Sequence, residues 1–207
     1  MNNQYHDPVL LQESVDGLNI KENGVYVDVT FGGGGHSKEI LKRLGKEGRL
    51  FAFDQDEDAL ANAIDDKRFE LINQNFQFLK QYLKFYGIRK VDGILADFGV
   101  SSHQFDEAKR GFSIRYDAEL DMRMNRNNKL SAYEVVNTYS TEDLATVLFQ
   151  YGELRNAKAL AKAMVENRAE KPIKTTEQLK TALQRFLPKM KENKILAQIY
   201  QAIRIEV

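Results

Sequence analysis

Apolar residues in the first half of the chain alternate between strand-like runs and helical patterns. The strand-like runs are VYVDVTF (25–31), RLFAFDQD (49–56), FELINQNF (69–76) and VDGILADFGV (91–100). Helical periodicity separates them in HSKEILKRL (36–44), DEDALANAI (56–64) and FQFLKQYLKFYG (76–87). A β-α-β-α-β-α-β series predicts an α/β fold with a parallel, doubly wound sheet and right-handed crossovers.

The pattern changes after about residue 104. A polar, aperiodic stretch (101–124) is followed by two capping signatures, Ser131 with Glu134 and Ser140 with Asp143, and by helical patterns at 156–170, 175–187 and 194–203. We therefore divide the chain into a Rossmann-like half (1–104), a helical insert (105–200) and the start of a return to the sheet (201–207). Since four strands are few for such a sheet, we expect further strands beyond Val207.

Four consecutive glycines follow the first strand, in TFGGGGHSKE (30–39). A strand, a glycine loop and then a helix direct backbone N–H groups toward a ligand at the helix N-terminus. No GK[ST] sequence follows, which excludes a P-loop, and Ser37 stands where a dinucleotide fingerprint needs its third glycine. What remains is a tight turn that ends in Gly34, Gly35 and His36.

Carboxylates end two of the other predicted strands. Asp54 lies 20 residues past Gly34, where a Rossmann-like sheet places an acid against ribose hydroxyls. Asp97 ends the fourth strand and should line the same crevice, unless it caps a turn or helix. Asp28, within the first strand, either orients the glycine loop or meets a ligand amine. The pattern predicts an adenosine ligand with free ribose hydroxyls and no pyrophosphate site.

Composition and charge indicate the cellular compartment and the kind of partner that we expect for the chain. The 207 residues are 43% hydrophobic and contain no Cys, so the chain can form a core without disulfides or Cys-based metal sites, as expected in the cytoplasm. No apolar run is long enough to span a membrane, and MNNQYHDP is not a signal peptide. Residues 1–108 carry 12 basic against 18 acidic residues, and residues 109–207 carry 18 against 12. The basic second half suggests contact with a polyanion; the alternative is that helical surfaces simply carry Lys and Arg.

Five ordered motifs, DVTFGGGGHS, FAFDQD, VDGILADFGVSSHQFD, RGFSIR and LDMRM, resemble those of the MraW (RsmH) family of bacterial ribosomal-RNA methyltransferases. HDPVLLQE near the start is similar too, and the resemblance covers 5–207. It implies a Rossmann-like methyltransferase sheet with an inserted helical subdomain that recognises RNA. It also implies S-adenosylmethionine-dependent N4-methylation of a cytidine in small-subunit (16S) ribosomal RNA at the decoding centre, with that RNA or the assembled small subunit as partner.

The resemblance assigns cofactor contacts by matching motif, and it assigns no metal. The contacts are Gly34, Gly35, His36, Asp54, Phe76, Asp97 and Gln104. Asp97 is also the candidate catalytic residue, as a hydrogen-bond acceptor for the target amine. Two departures stand out: His103 replaces the usual Pro, and family members continue well past the IRIEV match.

The stretch from Arg110 to Met124 is the predicted substrate wall. It mixes cations with aromatic rings, as phosphate contact and base stacking require, and the candidates are Arg110, Phe112, Arg115 and Arg123. The alternative is a structural lid whose arginines pair with Asp117, Glu119 and Asp121. For the whole chain, the alternatives are an inactive RNA-binding or ribosome-assembly protein, and a nicotinamide-dependent oxidoreductase, which would need the missing pyrophosphate turn.

Overall fold

The computed structural model describes residues 8–101, 104, 105 and 107–207. The chain divides after Ser101 into two compact units. The change of sequence pattern lies close to this division. The functional labels that we attached to the segments remain predictions.

The first unit contains the predicted parallel sheet. Its strands are β1 (Val25–Asp28), β2 (Arg49–Phe53), β3 (Phe69–Ile72) and β4 (Gly93–Leu95). They pair in the order β3-β2-β1-β4, and every pair is parallel. The α/β prediction is therefore confirmed, and β4 lies at an edge of this sheet. All four strands end earlier than predicted, because apolar residues such as Phe31 and Phe98 continue past the last paired residue.

Helices flank the strands in chain order. The first helix, α1 (Leu11–Gly17), precedes β1 and was not predicted from the sequence. The second, α2 (Gly35–Arg43), follows the glycine loop. The predicted helix at 56–64 is a short 3-10 helix (Glu57–Asn62), capped by the Asp56 carboxylate, which accepts the N–H of Asp58 at 3.1 Å. The predicted helix at 76–87 consists of a 3-10 turn (Phe76–Phe78) and α3 (Leu79–Phe85).

Alternate residues of the central strands are buried on opposite faces of the sheet. Tyr26 and Leu50 pack with Ile40 of α2, while Val27 and Phe51 pack with Leu83 of α3. Both faces are thus covered, which explains why β1 and β2 read as nearly continuous hydrophobic runs. Because all four strands are parallel, the chain leaves each of them at the same carboxyl edge of the sheet, where the candidate site lies.

The second unit is helical. It contains α4 (Ala132–Thr138), α5 (Thr141–Gln150), α6 (Ala157–Glu170), α7 (Thr176–Ala182) and α8 (Glu192–Glu206), with 3-10 turns at Ala108–Arg110 and Gln184–Phe186. The capping box before α4 is confirmed, because the Ser131 hydroxyl accepts the Tyr133 N–H at 3.2 Å and the Glu134 carboxylate accepts the Ser131 N–H at 3.0 Å. The Ser140 cap of α5 is confirmed by the bond from the Asp143 N–H at 3.0 Å.

The last helix extends further than its pattern predicted. We expected a helix at 194–203, but α8 continues to Glu206. The start of a return to the sheet at 201–207 stays a prediction. Its buried face carries Leu196, Ile199 and Ile203 at helical spacing. Within the described residues, no helix has the length and apolarity that a membrane crossing requires.

Candidate active site

The glycine loop between β1 and α2 depends on glycine for steric reasons. Gly32 and Gly34 have positive φ angles of 51° and 75°, which side chains other than glycine rarely adopt. A Cβ on Gly34 would lie 2.9 Å from the Phe31 ring, and a Cβ on Gly35 would lie 2.2 Å from Cγ of Pro8. Gly34 is the N-cap of α2, so the first turn of the helix begins directly at the predicted ligand-binding residues.

Asp28 holds this loop from beneath. Its carboxylate is fully buried, and it accepts the Ser37 hydroxyl at 2.7 Å and the Thr30 N–H at 3.0 Å. Burial raises the pKa of Asp28, while the bonds from Ser37 and Thr30 act in the opposite direction. Of the two roles left open by the sequence, the structure places Asp28 in the first, where it orients the loop.

His36 carries a buried polar atom that has no hydrogen-bond partner. The residue lies in the first turn of α2 and is only 5% exposed, and its Nε2 atom makes no hydrogen bond. Leaving such an atom unsatisfied costs about 1–3 kcal/mol. The predicted contact of His36 with a cofactor stays a prediction.

Asp54 follows β2 and is bonded to the glycine loop. One carboxylate oxygen accepts the Gly32 N–H at 2.8 Å, and the other accepts the Asp56 N–H at 2.9 Å. The Asp54 carbonyl oxygen accepts the side-chain amide of Asn73 at 2.9 Å, which ties the end of β2 to the end of β3. The acid predicted to bind ribose is therefore held in a defined orientation at the carboxyl edge.

Two exposed aromatic rings stand beside each other at this edge. Phe76, after β3, is 42% exposed, and Phe98, after β4, is 70% exposed. Their ring centroids are 5.6 Å apart with an interplanar angle of 44°. Phe76 was predicted as a cofactor contact, but the side chain of Phe98 was missed. The available signal was an aromatic residue directly after a strand-ending carboxylate.

Asp97 lies just beyond β4 and is exposed. Its backbone N–H donates to the Thr30 hydroxyl at 2.8 Å, which joins the segment after β4 to the segment after β1. The carboxyl edge of the sheet thus carries Gly34, Gly35, His36, Asp54, Phe76 and Asp97. Gln104 is buried and belongs to the second unit, while His103 lies outside the described residues.

The predicted substrate residues differ in how they are placed. Arg110 is 4% exposed and donates to the carbonyl oxygens of Arg123 at 2.8 Å and Met124 at 3.1 Å, and its guanidinium lies 5.1 Å from the Phe112 ring centroid. Phe112 is 1% exposed. Arg123 pairs with Asp121 at 2.6 Å, as the lid alternative anticipated. Arg115 is exposed. Contact with RNA stays a prediction for all four.

A metal centre is not apparent in the described part of the chain, where no group of three or more His, Asp or Glu side chains could hold an ion. A glycine loop, a fixed carboxylate, an unpaired imidazole nitrogen and two exposed rings surround the carboxyl ends of four parallel strands, which is where ligands bind in open α/β sheets.

Several known proteins are similar in sequence to this chain over nearly its whole length. The sequence profile of the MraW methylase family matches residues 3–207. A Flavobacterium johnsoniae protein named "Ribosomal RNA small subunit methyltransferase H" is 67% identical over 99% of this chain and 68% of its own length. Proteins of the same name from Christiangramia forsetii and Cytophaga hutchinsonii are 66% identical over 99% of the chain and 57% identical over 98%, each across 68% of the relative. The chain spans about two thirds of these relatives.

Proposed function

The chain belongs to the MraW methylase family, and we propose that it is an S-adenosylmethionine-dependent methyltransferase of small-subunit ribosomal RNA that acts on N4 of a cytidine at the decoding centre. The observation that carries the proposal is the 67% identity to a protein named as a small-subunit ribosomal RNA methyltransferase. The choice of N4 of cytidine rests on the family resemblance of DVTFGGGGHS and VDGILADFGVSSHQFD.

The residues at the carboxyl edge fit S-adenosylmethionine. Asp54 can accept hydrogen bonds from both ribose hydroxyls, and Phe76 and Phe98 offer apolar surface to an adenine ring. The His36 Nε2 atom needs a polar partner that the described chain does not supply. Gly34 and Gly35 let the backbone approach the ligand, and Gln104 completes the family assignment. When it is bound, the cofactor supplies a methyl group activated by its positively charged sulfur.

In this proposal, Asp97 holds the amine that receives the methyl group. The exocyclic amine of cytosine is a weak nucleophile, because its lone pair is delocalised into the ring. The chain can help by fixing the amine at a defined distance and angle, which is worth several kcal/mol. The acceptors at this place are the Asp97 carboxylate and the carbonyl oxygens of Phe98 and Gly99. Methylation makes the amine acidic, so its proton can pass to solvent and a strong base is not required.

The second unit supplies the RNA-binding surface in this proposal. A target base must leave its stack to reach a site at the edge of the sheet. The exposed Arg115 and Tyr116 can contact phosphate and an unstacked base, and residues 109–207 carry the basic excess that attracts an RNA backbone. A cytidine within folded RNA points to the assembled small subunit, in the cytoplasm, as the substrate.

Calorimetry and a methyl-transfer assay test the proposal. The chain, at the length its gene encodes, is titrated with S-adenosylmethionine and with NAD, and is then incubated with small subunits and cofactor labelled in the methyl group. We expect binding of S-adenosylmethionine alone, and label recovered as N4-methylcytidine after digestion to nucleosides. Binding to RNA without methyl transfer would instead favour an assembly protein. NAD binding would favour an oxidoreductase, and label on another nucleoside would overturn the N4 assignment.

A further inference from the structure

The pairing between strands β1 and β4 ends at the carboxyl edge of the sheet. Their register ends with Asp28 opposite Leu95, and the last backbone bond near it runs from the Val29 N–H to the Leu95 carbonyl at 3.0 Å. Two residues later, the Phe31 N–H donates to the Phe53 carbonyl at 3.0 Å, on the β2 side. The chain after β1 therefore turns away from β4, and a crevice opens at the topological switch point.

The side chain of Thr30 crosses this crevice. The Thr30 hydroxyl accepts the backbone N–H of Asp97 at 2.8 Å. Asp97 lies in a segment, 96–99, whose residues are all exposed. Apart from the contact between the Phe98 and Phe76 rings, packing therefore contributes little to its position. The bond from Thr30 thus takes over from the backbone ladder where the ladder stops.

The Thr30 hydroxyl is itself held from the other side. Asp28 accepts the Thr30 N–H at 3.0 Å and, through a longer contact of 3.4 Å, the Thr30 hydroxyl on the same carboxylate oxygen. Its second oxygen accepts the Ser37 hydroxyl at 2.7 Å. A Thr30 hydroxyl that donates to Asp28 presents its lone pairs to the Asp97 N–H. Asp28, Thr30 and Asp97 form a directed chain of hydrogen bonds.

We propose that Thr30 is a positioning residue for methyl transfer, whose hydroxyl fixes the backbone of Asp97 and so sets where the Asp97 carboxylate and the Phe98 carbonyl meet the target amine. This inference rests on the proposed function of the site. A misplacement of about 1 Å can cost about 100-fold in rate, so one hydrogen bond to an exposed backbone segment can govern turnover without touching the substrate.

The first test compares two substitutions at this position. Thr30→Val keeps the shape of the side chain and removes its hydroxyl, while Thr30→Ser keeps the hydroxyl. We expect Thr30→Val to lower kcat for methylation of small subunits by about 10- to 100-fold, as expected from a misplaced reacting group, with little change in KM for the subunit or in calorimetric affinity for S-adenosylmethionine. Thr30→Ser should restore most of kcat.

A matched control removes a threonine bond elsewhere. The Thr138 hydroxyl donates to the Glu134 carbonyl at 2.7 Å on the exposed side of α4, and Thr138→Val should leave kcat unchanged. The proposal fails if Thr30→Val lowers kcat no more than Thr138→Val does. It also fails if Thr30→Ser is as impaired as Thr30→Val, or if cofactor affinity falls in parallel with kcat, since the effect would then belong to side-chain packing or to the glycine loop.

A second measurement does not depend on activity. Hydrogen exchange of the Asp97 amide, followed by NMR, should be accelerated severalfold or more in Thr30→Val and should stay near the parent rate in Thr30→Ser. Unchanged exchange in Thr30→Val overturns the positioning role even if the enzyme is active. Conversely, if the parent chain transfers no methyl group but the exchange pattern holds, the proposed function fails while the Thr30–Asp97 link stands.

Discussion

The Asp54 carboxylate accepts the backbone N–H of Gly32 at 2.8 Å, so the acid after β2 and the loop after β1 are bonded to each other. The position of the Asp54 carboxylate, and with it the binding of a ligand to Asp54, therefore depends on the conformation of the glycine loop. In Asp54→Asn, one carboxylate oxygen becomes an NH2 group that faces an N–H donor from Gly32 or Asp56. We expect the Kd for S-adenosylmethionine to rise by about 10- to 100-fold, the usual cost of losing hydrogen bonds to a charged group.

The matched control is Asp65→Asn, an exposed acid in the same unit. Calorimetry should give the parent affinity for Asp65→Asn, because no part of the candidate site involves this residue. Equal losses in the two variants would point to the net charge of the first unit rather than to a ribose contact. An Asp54→Asn variant with parent affinity would remove Asp54 from the cofactor site.

Substitution of Gly34 should destabilise the protein, because both its backbone angle and its close neighbour require glycine. An alanine there must adopt a φ of 75° and place its Cβ 2.9 Å from the Phe31 ring. We expect Gly34→Ala to lower the free energy of unfolding by about 1–3 kcal/mol, as strained backbone positions do, measured by urea denaturation. Gly17→Ala is the control, because a Cβ at that position meets nothing within 4 Å. A harmless Gly34→Ala would mean that the loop can readjust.

Much of the first unit could be predicted from local pattern. Alternating strand-like and helical runs gave the parallel sheet, and the spacing from Gly34 to Asp54 gave a carboxylate beside the loop. Capping residues marked the starts of α4 and α5. These features depend on residues that are close in sequence, or on rules that hold for every parallel sheet.

The features that we did not predict from the sequence depend on contacts between residues far apart in the chain. The bond between Thr30 and Asp97 requires the register of β1 against β4, which no local pattern contains. The burial of Phe112 could not be read from a stretch without periodicity, where an aromatic residue is equally suited to stack on a base. Strand ends were misjudged because apolar residues continue into the loops, where Phe98 is exposed rather than buried.

Because of Asp66, the free energy of unfolding of the first unit should decrease as the pH falls into the acid range. Its carboxylate accepts Nε of Arg68 at 2.9 Å and Nη2 at 2.6 Å, and these bonds lower the pKa of Asp66 to about 2. The unfolded value is about 3.9, so the stabilisation is complete above about pH 5 and is lost as the pH falls toward 2.

Urea denaturation at several pH values measures this effect. We expect Asp66→Asn to be less stable than the parent by about 1 kcal/mol at pH 6, a value reduced from the full pKa shift because the pair is partly exposed to solvent. The difference should shrink between pH 4 and pH 2. A difference that stays constant over that range would show that the ionised pair is not its source.

Asp97 is the residue whose removal should separate binding from turnover. Asp97→Ala removes a carboxylate acceptor at the place assigned to the target amine, and we expect kcat for methyl transfer to fall on the order of 100-fold, as when a positioned hydrogen-bonding group is deleted. Asp97→Asn keeps one carbonyl oxygen and should retain more activity. An Asp97→Ala variant with parent cofactor affinity and full turnover would rule out the acceptor role.

Arg115 and Arg123 offer a paired test of the substrate wall, because the structure places them differently. Arg123 donates to Asp121 at 2.6 Å and to the carbonyl oxygens of Arg126 at 2.9 Å and Asn128 at 2.8 Å, whereas Arg115 is exposed. Arg115→Ala should weaken binding to small-subunit RNA and reduce the slope of log K against log salt by about 1, the loss of one phosphate contact.

Arg123→Ala should act mainly on stability. Its loss removes the guanidinium that pairs with Asp121 and donates to two carbonyl oxygens, at a cost of about 1–3 kcal/mol in the free energy of unfolding. The salt slope for RNA should stay near the parent value. Filter binding across a salt series, together with urea denaturation of both variants, distinguishes the two effects. If Arg123→Ala flattens the salt slope and Arg115→Ala does not, the substrate wall is formed by the arginine that now pairs with Asp121, and this stretch must rearrange when RNA binds.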